Sequence, residues 1–362
     1  MATLAEHAGH REVPRLAHRR ANGARAVDPL DVVRVTARLV DVDTTTGRES
    51  ALAGWLTDWL GGLGWSVSEQ VVSGDRRNIL ATLDPPRVVL STHYDCVPPF
   101  FPSRIDGDRL YGRGSCDAKG ILAAQVAAAE RLRAAGERRI GLLFLVGEER
   151  GSDGAMAANA LANGCAFLVN GEPTDNRLAA ATRGMLRVRL DARGRAAHSS
   201  HPELGESAIE KLVDVLMRLR AAEWPQDATL GTTHYTVGLI SGGIAPNVVP
   251  PSAEAEIVFR TVVSNDVVRE ELRALAGGDV TVHDVLDLPL VRTVTVPGFE
   301  TAVFPYSTDI PFLARWGQPL LYGPGSILVA HTANEHVRIP ELDRAVDGYQ
   351  HIAASLLGRL AG

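Results

Sequence analysis

The feature that most constrains this chain is a unit repeated through its first half. A short apolar run that reads as a buried strand is ended at once by a histidine or an acid. Val88-Val89-Leu90-Ser91-Thr92 runs into His93-Tyr94-Asp95, Ile140–Val146 into Gly147-Glu148-Glu149, and Ala166–Asn170 into Gly171-Glu172. Helical patterns lie between them, including an Ala-rich one from about Ile121 to Ala135. Strands buried on both faces and alternating with helices point to an α/β sheet covered on both sides. In open sheets of that kind ligands gather at the carboxyl ends of the strands, where these polar residues stand.

Around that frame, helices are expected over 29–42, 49–63 and 152–163, the second stopping at Gly61-Gly62. Strands are expected over Ser66–Val72 and Asn78–Leu83. After Asn176 the pattern changes. Leu186–Ala192, Thr233–Ile240, Ala253–Val262 and Asp279–Val285 read as strands, with helices over Gly205–Ala222 and Asp266–Ala276. That β-α-β-β-α-β order suggests a smaller α+β domain inserted into the first. The expected division is therefore 27–176 with 289–362 as the larger domain and 177–288 as the insert. Residues 1–26, rich in Arg and His, read as a disordered extension. Pro340 begins a final helix.

Composition limits the partners. A net charge of −6 and a pI near 6.0 argue against nucleic acid or an anionic membrane. No apolar run approaches the ~20 residues that span a bilayer. Only Cys96, Cys116 and Cys165 occur, an odd and sparse set that fits a reducing cytoplasm better than a disulfide framework.

Each polar cluster also has an ordinary structural reading. His93-x-Asp95 alone reads as a surface turn, although a metal-bound imidazole commonly donates its second N–H to a carboxylate. Asp117, in Gly112-Arg113-Gly114-Ser115-Cys116-Asp117, stands before a helix and could simply cap it. Glu148-Glu149 could be a solvated loop paired with Arg150. Two adjacent acids ending a buried strand are nevertheless expensive unless something cationic sits there. Glu172 adds a further acid at a strand end, and His331 follows the Gly-rich turn Gly323-Pro324-Gly325-Ser326. The combination decides for a metal centre.

The segments THYDCVP, LYGRGSCDAKG, GEERGSDGA, NGEPT, AHSSHPELGESAI, GGIAPNVVP and YGPGSILVAHTANEH together resemble the family of acetylornithine deacetylases, succinyl-diaminopimelate desuccinylases, aminoacylases and glutamate carboxypeptidases. The resemblance covers nearly the whole chain from about Asp28. It implies a three-layer metallopeptidase-type domain with a mixed central sheet, plus a lid and dimerisation domain. It also implies two Zn²⁺ ions, replaceable by Co²⁺ or Mn²⁺, with Asp117 bridging, His93 and Glu172 on one ion, and Glu149 and His331 on the other. Glu148 would be the general base and Asp95 the support of His93. His198 would stabilise the oxyanion, and Asn247, Arg183, Arg260 and Gly325 would contact substrate.

Three ligand carboxylates against four metal charges leave one positive charge, which a bridging hydroxide would match. The stretches Tyr306–Phe312 and Gly323–Ile327 look most like acetylornithine deacetylases. The expectation is thus a homodimeric enzyme cleaving the amide of an N-acetyl amino acid such as N-acetylornithine or N-acetylcitrulline. Alternatives are release of lysine or ornithine from an amino-group carrier protein, desuccinylation, and a glutamate carboxypeptidase or dipeptidase.

Overall fold

The structure, a computed structural model, describes residues 27–162 and 164–360. The expectation for residues 1–26 lies outside the described residues. Two main sheets are built from β1 (Ser66–Ser73), β2 (Arg76–Thr82), β3 (Val88–His93), β4 (Ile140–Leu145), β5 (Phe167–Asn170), β6 (Gly184–Arg193), β7 (His234–Gly242), β8 (Ser252–Thr261), β9 (Val280–Leu288) and β10 (Gln318–Leu321). The main helices are α1 (Val32–Val40), α2 (Ser50–Gly62), α3 (Lys119–Ala134), α4 (Ala208–Ala221), α5 (Asn265–Ala276) and α6 (Ile339–Arg359).

The central sheet runs β1-β2-β4-β3-β5-β10. Its first three neighbours pair antiparallel, while β4, β3, β5 and β10 run parallel, so the sheet is mixed. Alternation along β3 sends Val88 and Leu90 to the face packed by α1, α2, α3 and α6, and Val89 to the other face with Leu143, Leu168, Leu313 and Trp316. The result is three layers, as expected. α3 is almost wholly buried, and its run of alanines lets it lie against both the sheet and α6. α1 begins at Asp31, whose carboxylate accepts the Arg34 amide at 3.0 Å, and buries Val32, Val35 and Leu39 on one face.

The smaller sheet is antiparallel throughout, in the order β7-β8-β6-β9. Its strands alternate as the sequence does: Leu186, Val188, Leu190 and Ala192 face α4 and α5, while Arg187, Arg189 and Asp191 face outward. This β-α-β-β-α-β unit has its own core. The strand Leu178–Thr182 does not join it. That strand pairs instead with Val291–Arg292 and Thr301–Phe304, and Ala179 packs on Ile310 and Leu321. The crossover into the insert therefore falls at Arg183-Gly184, later than the sequence boundary at 177. No described helix is long and apolar enough to cross a membrane.

Candidate metal centre

β3 and β5 are neighbours in register, with Ser91 opposite Asn170, so their continuations carry His93 and Glu172 to one place. Asp117 arrives from the loop that feeds α3. His93, Asp117 and Glu172 offer ligand atoms within 4.8 Å of one another, and so do Asp117, Glu149 and His331. The five residues assigned as metal ligands from sequence are thus brought together as two trios that share Asp117. Its two oxygens are divided between the trios: Oδ1 lies 3.0 Å from His93 Nε2 and Oδ2 lies 3.2 Å from His331 Nε2. His331 Nε2 is also 3.1 Å from Glu149. His331 holds a left-handed backbone with φ of 64°, a conformation a non-glycine residue keeps only when its surroundings enforce it.

Asp95 does more than the sequence suggests. His93 Nδ1 lies 3.0 Å from the Asp95 backbone carbonyl and 3.4 Å from its carboxylate. The carboxylate mainly serves the next strand end, accepting the amides of Glu148 at 3.1 Å and Glu149 at 3.3 Å, and the Thr46 hydroxyl at 2.9 Å. One buried acid thereby sets both a ligand histidine and the turn that carries Glu148 and Glu149. Nothing in the local sequence marks Thr46, which comes from the segment before α2. Glycines with positive φ bracket that turn at Gly147 and Gly151.

The charges at the site are strongly coupled. Burial raises Glu148 well above the usual carboxylate range; His93 opposes the shift, and Asp309, Glu149 and Asp117 add to it. Burial raises Glu172 in the same way, with Glu148 reinforcing it. Glu149 is raised by burial against the lowering hydrogen bond of His331. Asp117 is lowered, because its hydrogen bonds to His331 and His93 outweigh its burial. Hydrogen bonds to Asp117 and Glu149 push His331 up to about 10. His93 rises too, its burial outweighed by Asp117 and Asp95. So many acids can share this volume only with protons or cations among them. Glu172 Oε1, buried and without a hydrogen-bond partner among the described residues, is a donor atom awaiting such a cation. The imidazole and carboxylate donors fit catalytic zinc, and cobalt or manganese could replace it.

The sequence marks Asp309 only as one residue of the family-like stretch Tyr306–Phe312. It is buried, and burial pushes it up to about 7. In the same stretch Tyr306 donates to the Pro173 carbonyl at 2.8 Å, tying the segment to the Glu172 turn. Cys96 and Cys116 are buried, and burial raises both thiols, Cys96 to about 11. Neither joins a ligand trio. Gly325, expected to touch substrate, has φ of 81°, and a Cβ there would lie 2.6 Å from Cys116 Sγ. Close approach to Cys116 accounts for the glycine.

The remaining expected residues lie on the insert, at opposite ends of its sheet. Arg260 is opposite Met185 on one side and His234 on the other. Arg183 Nη1 lies 3.0 Å from His234 Nδ1, which collects Arg183, His234 and Arg260 at one end. Arg260 Nη1 is buried with no partner among the described residues, and burial lowers its pKa. His198 and Asn247 are exposed beyond the other end, where Arg193 opposes Ser252. The eight residue steps along β8 from Ser252 to Arg260 span roughly 27 Å. His198 Nδ1 accepts the Ser200 amide at 3.2 Å and lies 2.7 Å from the Ser200 hydroxyl.

Comparison with known proteins agrees with this fold. Residues 89–355 match the model of Peptidase family M20/M25/M40. A probable carboxypeptidase of Aspergillus clavatus is 35% identical, over 89% of this chain and 81% of its own. A tripeptidase of Staphylococcus aureus has a similar fold, with a TM-score of 0.75 at 20% identity, covering 91% of this chain and 98% of that one. So does a Bacillus subtilis protein described as a dinuclear metal binding peptidase, with a TM-score of 0.70 at 16% identity and coverages of 91% and 98%.

Proposed function

The chain belongs to peptidase family M20/M25/M40, and from that premise we propose that it cleaves amides whose amine half is an amino acid with a free carboxylate. Metal-dependent hydrolysis of a peptide or amide bond is the activity of the family. The pair of ligand trios sharing Asp117 supports the hydrolysis, and the observation that carries the finer reading is the buried Arg260 Nη1, without a partner among the described residues, at the end of the insert's sheet where Arg183 also lies.

His93 and Glu172 would hold one divalent ion and Glu149 and His331 the other, with Asp117 on both. The ions, zinc by preference, supply the charge that polarises the scissile carbonyl and acidifies water. Glu148 takes a proton from the attacking water and returns it to the amine nitrogen as the C–N bond breaks. Asp95 holds the Glu148 turn in place through its two backbone amides. Arg260, with an unpartnered buried Nη1, and Arg183 beside His234 are suited to grip the carboxylate of the leaving amino acid.

His198 and Asn247 stand roughly 27 Å or more from that grip along the same sheet, which favours their service to the site of a second copy. His198 Nε2–H would then meet the developing oxyanion. Two exposed apolar surfaces suit a homodimer through the insert. One is the edge strand β7, with Leu239 64% and Ile240 60% exposed; the other is the α4 face of Val213 and Met217. The free, buried cysteines accord with a cytoplasmic enzyme.

N-acetylornithine and N-acetylcitrulline satisfy this description, and so do dipeptides. The carboxypeptidase description of the A. clavatus relative favours the second reading, C-terminal trimming of small peptides. A panel of N-acetylornithine, N-acetylcitrulline, N-succinyl-diaminopimelate and dipeptides, each with free and amidated carboxyl, tests both. Turnover of the free acids and little of the amides is expected. Equal turnover of the amidated forms would end the carboxylate reading. The acetyl and dipeptide rates decide between the two substrates.

A further inference from the structure

Glu335 lies four residues beyond His331, in the same loop, and is completely buried. Its carboxylate reaches across to the loop that carries Asp117. Oε1 accepts three backbone amides, from Gly114 at 2.9 Å, Cys116 at 3.3 Å and Asp117 itself at 3.2 Å. Oε2 accepts Arg113 Nη1 at 2.5 Å, and that guanidinium is also buried. The Glu335 backbone carbonyl takes the Gly112 amide at 3.2 Å, and the next residue, His336, pairs with Tyr111 in a short antiparallel ladder.

Converging backbone amides form a concavity that favours an anion. Here the chain supplies the anion itself, from more than two hundred residues away. A buried ion pair adds little to stability compared with an apolar packing of the same volume, so its use here calls for a positional reason. The two trios differ in how their ligands are held. His93 and Glu172 follow adjacent paired strands of the central sheet, β3 and β5, and the ladder fixes their spacing. Glu149 likewise follows β4, which pairs in register with β3, but Asp117 and His331 come from loops outside these strand ends, and Glu335 fastens those two loops together.

We infer that Glu335 is a positioning residue that sets the spacing of Asp117 and His331, and so governs affinity for the ion held by Asp117, Glu149 and His331. The inference rests on the dinuclear reading above. Because Asp117 is shared, it requires that loss of the Glu335 contacts weaken that ion clearly more than the other, which keeps His93 and Glu172. In Glu335→Gln an amide replaces one carboxylate oxygen, so its NH₂ must face either Arg113 or the three backbone amides, and one set of contacts is lost.

The test is calorimetric titration of metal-free protein with Zn²⁺ and with Mn²⁺. The expected result for Glu335→Gln is a second ion bound about 10–100-fold more weakly, the range for partners that orient metal ligands. The first ion, which shares Asp117 but keeps His93 and Glu172, should weaken by much less. kcat should fall at limiting metal and recover with excess metal, with KM little changed. Unchanged affinity at both sites, or equal weakening of both, would overturn the inference. Glu335→Asp, which keeps the charge and withdraws the acceptor, decides by the same criterion if the glutamine variant does not fold. A parent protein that binds fewer than two ions would instead strike at the dinuclear reading itself.

Discussion

Burial and the neighbouring acids push Glu148 well above the ordinary carboxylate range, so its proposed role as base calls for cations opposite it. Burial, Asp309 and Glu149 raise it, with His93 alone among the main influences lowering it. Glu148→Gln should still load two ions, measured by elemental analysis, while kcat drops by about 10²–10⁴-fold, the usual contribution of a positioned base. Retained turnover with full metal would remove the assignment. The histidines give a second prediction at this scale. In metal-free protein His331 is raised to about 10 from 6.5 by its hydrogen bonds to Asp117 and Glu149. Its stabilising contribution is therefore complete below about pH 6.5 and fades as pH rises towards 10. Glu148, Glu149 and Glu172 are raised as well, so their ionisation opposes folding increasingly above the ordinary carboxylate range. Both effects have the same sign. The melting temperature of stripped protein should fall from about pH 6 to about pH 9, and the gain on adding metal should grow over that range. Calorimetry in buffers of different ionisation enthalpy should also show metal binding releasing about two protons or more. A flat melting profile without metal would mean that the protonated cluster does not hold the empty site together.

At the scale of elements, the site depends on turns that only particular residues can make. Gly147 opens the Glu148–Arg150 turn with φ of 76°, and a Cβ there would collide with Asp153 Oδ1 and with Arg76, which pairs with Asp153. Gly151 has φ of 101° but open space around it. Gly147→Ala should therefore lose more stability than Gly151→Ala: strain alone in the second, about 1–3 kcal/mol, and strain plus collision in the first. Equal losses in thermal unfolding would show that backbone strain, and not the contact, decides. The comparison also shows what the sequence carried. Continuous apolar runs placed β3, β4 and β5 to within a residue or two, and the ligands that follow them could be read from their positions. β10 escaped because Gln318–Leu321 is four residues long with a proline inside, too short for any periodicity. The short strand Leu178–Thr182 falls inside the insert expected over 177–288, since nothing local separates it from β6 two residues later. Side-chain contacts between distant segments, such as Thr46 with Asp95 or Arg183 with His234, leave no local pattern. They depend on topology, which one sequence does not display.

At the scale of the whole molecule, the smaller domain poses a question of distance. Arg260 and His198 flank the same sheet, yet β8 keeps their ends roughly 27 Å apart. A substrate of one amino acid and an acyl group is far shorter than that, so on the proposed roles of these two residues a second chain must supply one of them. A symmetric dimer makes such an exchange twice, each insert giving its far end to the other site. The arrangement can be tested by mixing two inactive proteins. Glu148→Gln lacks the base and keeps His198; His198→Ala keeps the base and lacks the oxyanion donor. In a mixed dimer one site inherits both defects and the other inherits neither. With free exchange half the dimers are mixed, so the mixture should recover about a quarter of the parent activity. If His198 served the site of its own chain, each chain would carry one lesion in its own site and mixing would recover nothing. Exchange itself is verified independently with two affinity tags, so that a silent mixture with proven mixed dimers counts against action across the dimer. Recovery near a quarter would join His198 to Glu148 in one site and make the dimer the smallest working unit.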